Sequence, residues 1–257
     1  MNREKLRSLF DMSGRVVIVT GGTRGIGRAL AEGYVCAGAK VVVASRKADA
    51  CKETEEHLRA LGGEAIGVAA HMGEGADLRE IVDRAVREFG GIDVIVNNAA
   101  TALAQPVGEY TLEAWHKSLD VNLRGPVFLV QEALPYLKRS DHAAVLNILS
   151  GAAFMFSSGV SLYAAGKAAL LAQTRSAAVT FAEYEIRVNA LAPGTVDTDM
   201  VRATSAERQQ EMSQMMALKR MASPDEIVGP ALLLTSDAGS FVTGQVLIVD
   251  GGMIPAR

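Results

Sequence analysis

Tyr163 and Lys167 are four residues apart, a spacing that puts both on one face of a helix, and Ser150 lies thirteen positions before the tyrosine. A free tyrosine ionises near pH ~10, too high to trade protons easily at neutral pH. An ammonium beside it favours the phenolate and brings that value down. A serine hydroxyl at the same place can orient a carbonyl or alcohol oxygen. The three side chains together suit proton transfer to or from a substrate oxygen.

The second chemical feature is the run Thr20-Gly21-Gly22-Thr23-Arg24-Gly25-Ile26-Gly27. It lies between a short apolar run, Val16–Thr20, and a helical stretch over 25–37. Gly21 permits a tight turn, and Gly25 and Gly27 allow a pyrophosphate to approach backbone and helix closely. The N–H groups of the helix start then face the phosphates. The next apolar run, Lys40–Ala44, leads into Ser45-Arg46 without the carboxylate that would hold the ribose hydroxyls of NAD. Arg24, Ser45 and Arg46 suit a 2′-phosphate, because guanidinium offers paired donors. This favours NADP(H) over NAD(H).

These residues need a scaffold, and the patterning supplies one. Strands are expected at 16–20, 40–44, 64–70, 92–96, 143–149, 187–191 and 246–249. Helices are expected between them at 25–37, 49–61, 77–89, 112–137, 161–183, 207–216 and 225–234, with Gly125-Pro126 kinking or interrupting the long fourth one. Strand and helix alternating throughout predict an α/β fold, a doubly wound parallel sheet of Rossmann-like form. Residues 1–13 read as a lead-in and 14–257 as a single domain.

Composition narrows the function classes. Of 257 residues 49% are hydrophobic and only 5% aromatic, which suits an aliphatic core. The net charge of −3 shows no basic excess, so no nucleic-acid partner is expected. The N-terminal ten residues lack a signal peptide's apolar run, and no run is long enough to span a membrane, so a cytoplasmic protein with no membrane partner is expected. Cys36 and Cys51 have no pairing or CxxC spacing, and Cys36 reads as a small core residue. His57, His71, His116 and His142 show no metal-ligand spacing, so no metal is expected. Phe154, Met155 and Phe156 are expected to wall a substrate pocket. Met200, Met212, Met215 and Met216 suit either an adaptable apolar lid or a packed helix face.

From Val16 to Gly252 the chain resembles the short-chain dehydrogenase/reductase family. The resemblance rests on Thr20-Gly-x-x-x-Gly25-x-Gly27, Asn97-Asn98-Ala99, Asn122, Ser150, Tyr163-x-x-x-Lys167, Pro193-Gly194 and Gly244 with Asp250-Gly251-Gly252. It implies that Tyr163 gives or takes the proton, that Lys167 lowers the tyrosine's pKa and holds the nicotinamide ribose, and that Ser150 binds the reacting oxygen. Asn122 is implied to hold a water linking Lys167 to solvent. Asn98 and Ala99 would lie along the cofactor, and Pro193, Gly194, Val196 and Thr198 would cover the nicotinamide. The implied activity interconverts a carbonyl compound and a secondary alcohol, here with NADP(H), and an apolar methionine lid would suit a small apolar substrate. A 3-oxoacyl carrier-protein reductase and a non-catalytic NADP-binding regulator are the alternatives. A homotetramer or homodimer is implied.

Three positions depart from the family pattern. His71-Met72 stands where an aspartate usually meets the adenine, leaving a backbone or His71 contact to replace it. Ala100 stands where glycine is commoner. Gly166, often serine in the family, costs about 1 kcal/mol against alanine in a helix interior.

Overall fold

The computed structural model describes residues 1–155 and 159–254. Its strands are β1 (Val16–Thr20), β2 (Lys40–Ser45), β3 (Glu64–Ala69), β4 (Val94–Asn97), β5 (Ala144–Ile148), β6 (Arg187–Pro193) and β7 (Val246–Val249). All pair in parallel, in the order β3-β2-β1-β4-β5-β6-β7. The helices are α1 (Arg3–Ser8), α2 (Gly25–Cys36), α3 (Ala48–Ala60), α4 (Gly75–Phe89), α5 (Leu112–Leu119), α6 (Gly125–Leu137), α7 (Ser161–Phe181), α8 (Asp199–Arg202), α9 (Ala206–Met215) and α10 (Val228–Thr235).

The side-chain period of two divides the core between the sheet's faces. Val16, Ile18, Val42 and Ile95 pack with residues of α4 and α6. Val17, Val19, Val41 and Val96 pack with residues of α2 and α10 on the other side. With both faces covered, β1 is buried at all five positions. Strand order runs outward from β1 through β2 to β3, then resumes at β4 on the other side of β1. The crevice at the carboxyl ends of β1 and β4 is where such sheets take ligands.

The expected strands and helices are all present, with boundaries shifted by up to three residues. The exception is the stretch 112–137. It contains α5, then a π-helical turn at Asp120–Arg124, then α6. The Gly125 N–H bonds the carbonyl of Asp120, five residues back. A Cβ at Gly125 would strike the Met72 carbonyl, so glycine is needed where this turn meets the loop after β3. The short helices α1 and α8 are additional to the expected set. Cys36, expected in the core, is exposed at the end of α2, whereas Cys51 is buried with its thiol 3.3 Å from the Val68 carbonyl. Among the described residues no helix is long and apolar enough to cross a membrane.

Candidate active site

The glycine turn is shaped by contacts that exclude side chains. Gly21 has φ +64°, and a Cβ there would lie 2.9 Å from the Ala99 Cα. A Cβ on Gly27 would land on the Gly21 carbonyl and the Asn98 amide. Asn98 braces the turn by donating from Nδ2 to the carbonyls of Thr20 (2.8 Å) and Gly21 (3.2 Å). The Thr20 hydroxyl accepts from the N–H groups of Asn98 and Ala99 at 3.0 and 3.1 Å. The ends of β1 and β4 are thereby locked together.

This turn forms one end of a cleft of about 590 Å³ along the carboxyl edge of the sheet. Gly21, Thr23, Arg24, Gly25, Ile26 and Gly27 all line it. So do Ser45 at the end of β2 and Arg46 beyond it, and His71 and Met72 after β3. Asn98 and Ala99 lie in its floor, and Pro193, Gly194, Val196 and Thr198 form the wall beyond β6. Ser150, Tyr163 and Lys167 share the same cleft. The backbone at Gly194 is packed against Asp250, whose carboxylate accepts from Gly252 N (2.9 Å) and Ile254 N (2.7 Å).

Lys167 is 1% exposed, and its ammonium donates to the Ile148 carbonyl at 2.7 Å. Burial pushes its pKa down to about 8. Tyr163 differs from the sequence-based expectation. Burial raises its phenol above the ordinary value, and the Ser150 hydroxyl is the group that pulls it back. The lysine nitrogen lies 5.7 Å from the centre of the tyrosine ring and spends a hydrogen bond on the main chain. In this arrangement the phenol keeps its proton at neutral pH.

Lys167 gives a measurable pH signature. An unfolded lysine keeps its proton up to about 10.5, while the folded one loses it near 8. Between these values unfolding takes up a proton, so rising pH favours the fold. Compared with Lys167→Met, the wild type is expected to gain stability from pH 8 to 10.5. Melting temperatures of the two proteins across that window check the sign; a constant difference would contradict it.

Asn122 is fully buried behind the cleft wall. Its Nδ2 donates to the Thr101 carbonyl (2.8 Å) and the Ser118 hydroxyl (3.3 Å), and its Oδ1 accepts from Thr101 N (3.1 Å). It fastens the loop after β4 to the π-helical turn. Gly166 of α7 faces this point: a Cβ there would lie 3.1 Å from the Asn122 Cβ, which supplies the packing reason for a glycine in mid-helix.

Some expectations for the pocket wall do not hold. Phe154 packs beside Leu149, Leu170 and Leu171, and neither it nor Met155 lines the cleft. Phe156 lies outside the described residues. Met200 and Met212 do line the cleft, whereas Met215 is exposed and Met216 is buried outside its wall. The structure adds Thr101, Lys117 and Val121 to the lining. Lys117 and Val121 are four apart in the helix leading to Asn122, so a helical projection from Asn122 could have found them; Thr101 carries no sequence signal.

The fold and cleft are those of a nicotinamide-dependent oxidoreductase, and comparisons with known proteins agree. A family model described as enoyl-(acyl carrier protein) reductase matches residues 21–254. Human dehydrogenase/reductase SDR family member 4 is 34% identical over 249 residues, covering 96% of this chain and 89% of that protein. A 3-oxoacyl-[acyl-carrier-protein] reductase of Staphylococcus epidermidis is 33% identical over 241 residues, covering 92% and 97%. Among solved structures, a blue fluorescent protein from a metagenomic library in complex with NADPH superposes with a TM-score of 0.89 at 34% identity, covering 95% of this chain and 99% of that one. The chain belongs to the short-chain dehydrogenase/reductase family, whose members bind nicotinamide cofactors and act on CH–OH groups of small molecules.

Proposed function

We propose that this chain is an NADP(H)-dependent oxidoreductase interconverting a carbonyl and a secondary alcohol, with Tyr163 handling the proton on the reacting oxygen. The carrying observation is one cleft that joins a side-chain-free glycine cradle to Ser150, Tyr163 and Lys167. The cradle fits a dinucleotide: Gly21 and Gly27 let the turn close against Ala99 and Asn98, where a Cβ would clash, and the start of α2 presents N–H groups to the cleft without a side-chain cap. A bound nicotinamide supplies the hydride.

The side chains then have separate tasks. Ser150 orients the substrate oxygen. Tyr163, protonated at neutral pH, donates its proton to that oxygen in reduction and takes one back in oxidation. Lys167 would hold the nicotinamide ribose hydroxyls. Asn122, whose side chain is engaged with Thr101 and Ser118, would hold a water that relays protons to Lys167.

The preference for NADP(H) rests on Arg24 and Arg46. Both line the cleft, both are exposed, and neither has an acidic partner among the described residues. The turns that carry them are joined by a hydrogen bond from the Thr23 hydroxyl to that of Ser45, at 3.1 Å. Replacing both arginines by alanine is expected to weaken NADPH binding by roughly one to two orders of magnitude, the worth of one or two charge-assisted hydrogen bonds. NADH binding should change little. Equal losses for the two cofactors would count against a 2′-phosphate site.

The substrate end is mainly apolar, with Ala102, Ala104, Val160, Met200, Val201 and Met212 in the wall. This supports an uncharged carbonyl compound. Phe128 on α6 and Val179 on α7 are exposed, which supports self-association through these helices.

A further inference from the structure

His71 follows β3, where the family pattern has an aspartate, and the structure gives its ring a defined hydrogen-bond polarity. The Gly73 N–H donates to Nδ1 at 3.1 Å, so the neutral ring carries its proton on Nε2. The His71 backbone N–H donates to Asp77 Oδ2 at 2.7 Å, which pins the turn from behind. Gly73 sits so close that a Cβ on it would lie 3.0 Å from the ring's Cε1 and Nδ1. The ring is thus held along its Nδ1 edge. Among the described residues Nε2 has no partner, and His71 lines the cleft.

The surroundings reinforce this polarity. Met72 and Val121 offer apolar surface to a flat ring. Lys117, one helical turn before Val121, lines the cleft as a second donor. Of the nearby carboxylates, Glu74 is exposed and does not line the cleft, and two others are engaged elsewhere. Asp77 accepts from His71 N, Asp120 pairs with Arg124 at 2.7 Å, and neither lines the cleft. A base bound here meets side-chain donors and no carboxylate.

We propose that His71 selects the purine of the bound dinucleotide by donating from Nε2–H to an acceptor on the base edge. An aspartate at this place would do the opposite and accept from the amino group of adenine. The proposal rests on the dinucleotide reading of the cleft. A 6-keto purine offers O6 as an acceptor where adenine offers an N6 donor, so His71 should favour the keto base or treat the two alike.

The test titrates wild type and His71→Asp with NADP⁺ and with its hypoxanthine analogue. The readouts are calorimetry and the fluorescence of Trp115, the sole tryptophan, two residues before Lys117. The wild type is expected to bind the hypoxanthine form at least as tightly as the adenine form. His71→Asp should prefer the adenine form by roughly tenfold, the worth of one hydrogen bond to a charged group. A tenfold wild-type preference for adenine would overturn the proposal, as would an unchanged base preference in a folded His71→Asp. Failure of the wild type to bind either NADP⁺ or NAD⁺ would instead bring down the dinucleotide reading, and this proposal with it.

Discussion

Tyr163→Phe is expected to lower turnover on the order of a thousandfold, the usual scale for loss of a positioned general acid. The substitution removes one oxygen and leaves the ring that packs in the cleft wall. The phenol is protonated at neutral pH, and desolvation only raises it further, so the lost group is the proton donor for reduction. NADPH affinity should stay within about threefold of wild type, since no cradle contact depends on the phenol. Steady-state rates on a panel of apolar ketones and a 3-oxoacyl thioester, together with an NADPH titration, separate the two effects. Retention of half the activity would remove Tyr163 from the proton-transfer role. Loss of activity and binding together would make it a structural residue.

Gly27→Ala is expected to have the second largest effect, this time on binding. The added methyl would meet the Gly21 carbonyl and the Asn98 amide, so the turn that Asn98 braces must open. Such overpacking costs about 1–3 kcal/mol, and it falls where the phosphates are expected to lie. Affinity for both NADPH and NADH should fall together, because the pyrophosphate is common to both. Gly91→Ala is the matched control, since its Cβ would meet nothing within 4 Å. The contrast is read by thermal unfolding and cofactor titration. An alanine at position 27 that binds cofactor normally would show that the cradle does not need that approach.

The regular elements were legible because burial on both sheet faces writes each strand as a short aliphatic run, such as Val16–Thr20 between polar neighbours. The candidate site was legible for a related reason. Spacing puts Tyr163 and Lys167 on one face of α7, whereas Ser150, at the end of β5 across a loop, was legible beside them through the family resemblance. The π-helical turn at Asp120–Arg124 was not legible, because it arises from a tertiary demand: Gly125 must approach the Met72 carbonyl. The direction of the Tyr163 shift was not legible because spacing shows which groups are neighbours but not how each is desolvated; desolvation raises the half-buried phenol and depresses the fully buried lysine. Phe154 was misplaced because a loop gives no periodicity to tell a core-facing side chain from a pocket-facing one. Cys36 was misplaced on the general preference of cysteine for the interior, at a helix end that faces solvent.

The most direct test of the account is titration of the wild-type protein with NADPH and, separately, NADH, followed through Trp115 and the cofactor's own fluorescence. NADPH is expected to bind at least about tenfold more tightly, by one charge-assisted hydrogen bond or more to Arg24 and Arg46. Equal or tighter binding of NADH would contradict the 2′-phosphate site, and binding of neither would contradict the dinucleotide cleft.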